Sequence, residues 1–360
     1  MSPRRRSLIE SAAEQDRAMF VEHTALVRTA RTLREELREI TAELERARKM
    51  LAIHDAIKHA SVTPPTWRIP ASSAQHHGVL CLQPSDIHWG AVVRPEEINF
   101  INAYNLDIAQ QRLRRTFEGA IKLARDYFAG LTYDGLQLFL PGDMHSGEIH
   151  AELRETNAVT IADGIMSLAE PMQAGINMLA AEFGKVNIAC VVGNHSRRTR
   201  KPIAKHRVKD NYDYLTYRIL ARDFAKNPKV SVTISAAPDL RVQVYDKFYC
   251  LTHGDQFRGG SGIAAELSPL LLGVHRKSRR DAASGKPFDV MTMGHFHKTL
   301  ILPTNGLIVG GSIMGYDEFA FNSNFRPEPP MSAFWVDTPE RGIATFISNV
   351  HCMKRGEEGW

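Results

Sequence analysis

The chain has 360 residues, 43% of them hydrophobic and 24% charged, with a formal net charge of +5. This composition excludes a disordered polymer and a chain too short to bury a core. There is no run of about 18 apolar residues, and the opening Met1-Ser2-Pro3-Arg4-Arg5-Arg6 lacks the apolar centre of a signal peptide, so no membrane association is expected and the cytoplasm is the expected location.

Residues 8 to 60 contain no glycine or proline and are rich in Ala, Glu, Arg and Leu, which predicts a continuous helix over 1–60. Leu26, Ala30, Leu33, Leu37, Ile40, Leu44, Ala47 and Leu51 recur at alternating steps of four and three, a heptad seam flanked by Arg and Glu. Two readings stay open for the seam: homo-oligomerisation as a coiled coil, or packing of a long amphipathic helix on the same chain's second domain. A turn-rich linker over 61–77 follows, containing Pro64-Pro65 and Pro70-Ala71-Ser72-Ser73.

From residue 78 to 352, apolar runs of strand length alternate with helical stretches. The runs are Val79 to Leu82, Leu136 to Leu140, Val186 to Val192, Val230 to Ile234, Phe248 to Leu251, Val290 to Met293 and Leu307 to Val309. Helical periodicity marks Ala109 to Phe128, Ala158 to Phe183 and Tyr212 to Phe224. The fold class is therefore α/β or mixed α+β. Cys81, Cys190 and Cys250 lie within apolar runs without close pairing, the setting of buried reduced thiols. The segment after Gly315 is open between a cap over the site and a subunit contact.

Metal-type side chains follow successive runs: Asp86-Ile87-His88, then Gly142-Asp143, Gly193-Asn194-His195, His253-Gly254-Asp255 and Gly294-His295-Phe296-His297. One such motif alone is weak, since a hydrogen-bonded core histidine is commoner than a ligand. Five in order at strand ends can converge on one cavity. The mixture of carboxylate, amide and imidazole suits a borderline divalent ion, with Mn the first expectation and Fe, Zn, Co or Ni as alternatives.

This ordered set resembles the calcineurin-like metallophosphoesterase superfamily over residues 79 to 312. The resemblance implies a four-layer αββα sandwich and two divalent ions. It puts Asp86, His88 and His297 on one ion and Asn194, His253 and His295 on the other, with Asp143 bridging. It makes His195 the catalytic residue that protonates the leaving oxygen or stabilises charge on phosphorus. Its DNA-repair nucleases share this ligand set, and the segment from Gly193 to Tyr214 is similar to members carried by bacteriophages and mobile elements. One departure stands out: the family often continues Gly-Asn-His with Asp or Glu, where this chain has Ser196.

His145, Arg197, Arg198 and Arg200 are candidate substrate contacts. A basic run follows His195, and a second, His275 to Arg280, lies between two metal motifs. With Trp89, Phe257 and Phe296 near the motifs as stacking candidates, the expected activity is nuclease or phosphodiesterase chemistry on a nucleic acid. The alternatives are hydrolysis of a small nucleotide or phosphoprotein, and a non-catalytic scaffold, against which the complete ligand set speaks.

Overall fold

The computed structural model describes residues 3–59, 76–128, 130–257 and 267–351. The chain divides into two units, residues 1–72 and 73–360.

The first unit is one helix, α1 (Pro3–His59), 57 residues long and about 85 Å from end to end at 1.5 Å per residue. Proline stands at its first described position, where a missing N–H costs nothing. The seam is exposed along its length, with Leu33 at 57%, Leu37 at 64% and Ile40 at 62%. The linker expected over 61–77 lies outside the described residues except for His76 and His77, which begin the first strand.

The second unit holds two mixed sheets. In the first, β1 (His76–Gln83), β2 (Leu131–Leu140), β3 (Val186–Cys190) and β4 (Val230–Ile234) run parallel, with Leu80 beside Leu136, Leu136 beside Val186 and Val186 beside Val230. The second contains β5 (Asp239–Val244), β6 (Lys247–Thr252), β7 (Val290–Met293), β8 (Leu300–Leu302) and β9 (Leu307–Val309), in the order β5-β6-β7-β9-β8. There β6, β7 and β9 are parallel and the two edge strands antiparallel. The stretch after Gly315 completes the first sheet: β10 (Met331–Thr338) pairs antiparallel with β1, and β11 (Gly342–His351) pairs with β10.

Period-two burial sorts the side chains into layers. Leu80, Leu82, Leu136, Leu138 and Ile188 pack against α2 (Leu106–Asp126) and α4 (Ile161–Phe183), with α5 (Tyr212–Asp223) alongside. The alternate residues Cys81, Phe139, Ala189 and Trp335 meet Tyr249, Leu251 and Ile308 between the sheets. On the far face Cys250, Met291 and Val309 pack with Leu270 of α6 (Ser268–Ala283). The order helix, sheet, sheet, helix is the expected four-layer sandwich. Two short helices, α3 (Ala151–Thr156) and α7 (Glu318–Asn322), lie in the connections.

Two aromatics fasten the sheets. Trp335 Nε1 donates to Tyr249 Oη at 3.2 Å, and that hydroxyl donates to Asp337 at 2.7 Å. Cys81, Cys190 and Cys250 are buried and free, as their apolar settings implied.

Candidate metal centre

The loops leaving β1, β2, β3, β6 and β7 carry all five motifs. Because these strands are parallel within their sheets, the motifs gather at one edge of the sandwich. Backbone bonds lock them together: His88 N donates to Asp143 O at 3.0 Å, Trp89 N to Met144 O at 2.9 Å, and Gly294 N to His253 O at 3.0 Å. The glycines allow the approach. A Cβ on Gly193 would collide with the Asp143 carboxylate, and one on Gly294 with Asp86 and Ser85.

The backbone is strained at the same residues. Asp86 (φ 50°), His88 (47°), Asp143 (50°), His295 (70°) and His297 (50°) are all left-handed. For residues with a Cβ this conformation costs roughly 1–2 kcal/mol each. Such strain persists only where the surroundings impose it, and its concentration at one point motivates a functional reading.

The ligand atoms of Asp86, His88 and His297 lie within 4.8 Å of one another, as do those of Asp143, His253 and His295. A third group, His88, Asp143 and His195, joins the two. His88 Nε2 and His297 Nε2 are 3.2 Å apart, and His253 Nε2 is 3.1 Å from Asp143 Oδ2 and 3.0 Å from Asn194 Oδ1. Lone-pair atoms facing one point fit divalent cations, because mutual repulsion is what a cation would relieve. The expected residues thus lie together: Asp143 belongs to two of the three groups, and Asn194 reaches them through His253.

Partners behind the ligands orient them. His253 Nδ1 lies 3.0 Å from Pro141 O; a carbonyl only accepts, so Nδ1 carries a hydrogen and Nε2 faces the centre. Asp86 receives the backbone N–H of His295 at 3.0 Å on each oxygen, and the Ser85 hydroxyl as well.

Electrostatics follow from this crowding. Burial pushes the Asp86 carboxyl upward, but its hydrogen bond to His297 and the nearby imidazoles outweigh that and bring it down to about 2. Burial also opposes charge on His253, yet the Asp143 carboxylate prevails and raises it to about 10. His88 is held well below its ordinary value by burial and by His195, and His295 falls to about 4 through burial and His253.

His195 projects beside the first group, its ring edge-on to His88 at 4.6 Å between centroids. Its N–H donates to Asp143 Oδ1 at 2.7 Å, and its Nδ1 bonds Ser146 O at 3.0 Å. The remaining atom, Nε2, is the one available for proton transfer.

Asp213 lies outside the five motifs, and no sequence signal marks it as a site residue. Fully buried at the start of α5, it accepts from Asp143 N at 3.0 Å, Met144 N at 3.1 Å, Gly193 N at 2.9 Å and Ser196 Oγ at 2.5 Å. Burial and the Asp143 charge lift it to about 6 against these donors. A carboxylate thus stands behind the Gly-Asn-His loop after all, from 17 residues downstream of Ser196. His150, which no sequence motif marks, is exposed and lies 6.4 Å from His195 between ring centroids.

The expected substrate contacts fare differently. His145 does not face solvent: it is fully buried, its Nε2 is 2.6 Å from Thr216 Oγ1, and burial lowers it to about 3. Its backbone forms a parallel bridge with Trp89. Arg197 folds back onto the carbonyls of Asn194, Thr199 and Arg200 at 2.9–3.0 Å. Arg198 pairs with Asp210 at 2.6 Å, while Arg200 is exposed. Within the second basic cluster, Lys277 is buried against Asp239 and Gln256. Trp89 is a core residue, with Nε1 bonded to Ser167 at 2.9 Å, and Phe257 and Phe296 pack toward the α6 layer.

Comparison with protein-family models gives no match, nor does comparison with curated proteins. Among solved structures, the chain is similar to a novel archaeal phosphodiesterase at 12% identity, covering 75% of this chain and 100% of that one, with a TM-score of 0.33. It is similar to a predicted phosphoesterase from Streptococcus pneumoniae TIGR4 at 12% identity, covering 76% and 98%, with a TM-score of 0.27. Vacuolar Protein Sorting 29 from Cryptosporidium parvum matches at 15% identity over 76% and 99%, with a TM-score of 0.29. Likenesses this distant carry no inference about activity or substrate.

Proposed function

We propose that the chain is a metal-dependent phosphoester hydrolase of the calcineurin-like type, acting on phosphodiester bonds of a nucleic acid. The observation that carries the reading is the convergence of Asp86, His88, Asp143, Asn194, His253, His295 and His297 from five loops, most of them on strained backbone. Asp86, His88 and His297 would hold one divalent ion and Asn194, His253 and His295 the other, with Asp143 between; Mn is the first ion to test. Such a pair supplies an activated water and stabilises charge on the phosphoryl oxygens.

The protein's own part is positional. The strained loops fix the ligand atoms, and Asp143 is oriented by its bonds to His195 N and by its contact with His253. His195, anchored through Nδ1, presents Nε2 to donate a proton to the leaving oxygen. Arg200, Lys201 and Lys205 are exposed on the loop after His195 and support contact with a phosphate backbone.

A specific observation favours a second reading. Arg197, Arg198, Arg207 and Lys277 are engaged within the fold, so much of the basic excess does not face a ligand, which suits a small phosphodiester. Hydrolysis of labelled single- and double-stranded DNA and RNA, beside bis(p-nitrophenyl) phosphate, with Mn or with chelator, separates the readings. Mn-dependent cleavage of nucleic acid that Asp143→Asn lacks is the expected result. Cleavage of the small diester alone transfers the assignment to small substrates, and no cleavage of either overturns both. Among the described residues no helix is long and apolar enough to cross a membrane.

A further inference from the structure

We propose that α1 binds a second copy of this chain, and that the two helices run parallel and in register. The inference is independent of the phosphoesterase reading, since it rests on α1 alone.

The seam defines the heptad. Leu26, Leu33, Ile40 and Ala47 take position d, and Ala30, Leu37, Leu44 and Leu51 take position a. Leu26, Leu33, Leu37, Ile40, Leu44 and Leu51 are 49–67% exposed, an apolar stripe that a partner helix would cover. Helices in proteins draw most of their stability from such coverage. The flanking positions then decide the orientation. Position e carries Val27, Arg34, Thr41 and Arg48, while position g carries Glu22, Thr29, Glu36, Glu43 and Met50.

In a parallel pair each g residue faces the partner's e residue five positions on. Glu43 therefore meets Arg48 of the second copy, twice by symmetry, and no like charges meet between residues 22 and 51. In an antiparallel pair g faces g and e faces e. Glu22, Glu36 and Glu43 would then face only one another or Thr29 and Met50, and Arg34 and Arg48 could find no acid within the seam. Centred on the seam, that arrangement sets Glu36 against Glu43. Opposite charges across the interface select the parallel form, and the two second units would leave the bundle at the same end.

The test uses the full chain with Cys352→Ser. Light scattering should give twice the chain mass, and a monomer overturns the proposal. Ala30→Cys and Ala47→Cys, each alone, should form disulfide-linked dimers under mild oxidation. A dimer that crosslinks only when the two variants are mixed is antiparallel and overturns it. Charge reversal reads the same choice with opposite signs. Glu43→Arg should weaken the dimer roughly tenfold, and adding Arg48→Glu should restore it. A tighter dimer on Glu43→Arg alone, as an antiparallel pair would give by relieving Glu36, overturns the orientation.

Discussion

Ser196 Oγ donates to Asp213 Oδ1 at 2.5 Å, and neither side chain reaches solvent. The same carboxylate collects three backbone N–H groups from the loops of Asp143 and Gly193. Asp213→Ala would strand these donors in a dry interior, at about 1–3 kcal/mol for each that finds no new partner. A loss of at least about 3 kcal/mol is expected in denaturant unfolding, against about 1 kcal/mol for Ser196→Ala. An Asp213→Ala protein as stable as the parent would show that the loops hold themselves.

Asp143 and His195 should separate in their effects. Asp143→Asn removes the charge of a carboxylate that belongs to two of the three groups and should lower bound metal and turnover together. His195→Ala leaves the seven ligands in place and should cost roughly 10²–10⁴ in kcat with metal content unchanged. Elemental analysis beside kinetics checks this, and equal metal loss in both variants would make His195 a structural residue.

What was legible in the sequence follows from what each residue does. The ligands act through their own side chains at the ends of apolar runs, so strand periodicity and the glycines beside them mark their places. Asp213 acts on backbone N–H groups up to 70 residues away, and Tyr212-Asp213 reads locally as an ordinary acidic helix start. His145 and His195 look alike in sequence because both lie within two residues of a ligand; what separates them is a contact 71 residues away, between His145 and Thr216 of α5. The strand β5 has alternate residues half exposed, β8 has three residues, and α6 lies within a basic cluster in which Lys277 is buried against Asp239 and Arg280, though exposed, pairs with the same carboxylate.

The His253 and Asp143 pair gives the metal-free protein a pH dependence of definite sign. His253 is raised from 6.5 to about 10, so its contribution to stability is fully present below about pH 6.5 and is lost as pH rises through 10. In chelator, the thermal midpoint should fall between pH 6.5 and pH 9.5. Metal binding needs the imidazole neutral, so the stabilisation added by Mn should grow over the same range. A metal-free midpoint that stays level, or falls equally in Asp143→Asn, would remove this pair as the cause.

Salt dependence probes the substrate. If Arg200, Lys201 and Lys205 contact backbone phosphates, each contact releases condensed counterions, and the logarithm of affinity falls linearly with the logarithm of salt concentration. Neutralising two of these exposed residues should reduce the slope by about 1.8 on a duplex and about 1.4 on a single strand. Turnover of bis(p-nitrophenyl) phosphate should remain the same, because the ligands and His195 are untouched. Fluorescence anisotropy of labelled strands from about 50 to 200 mM salt, with Asp143→Asn to prevent cleavage, supplies the slope. An unchanged slope would assign nucleic-acid contact to another surface, with the exposed Arg276 and Arg279 of α6 the next to substitute.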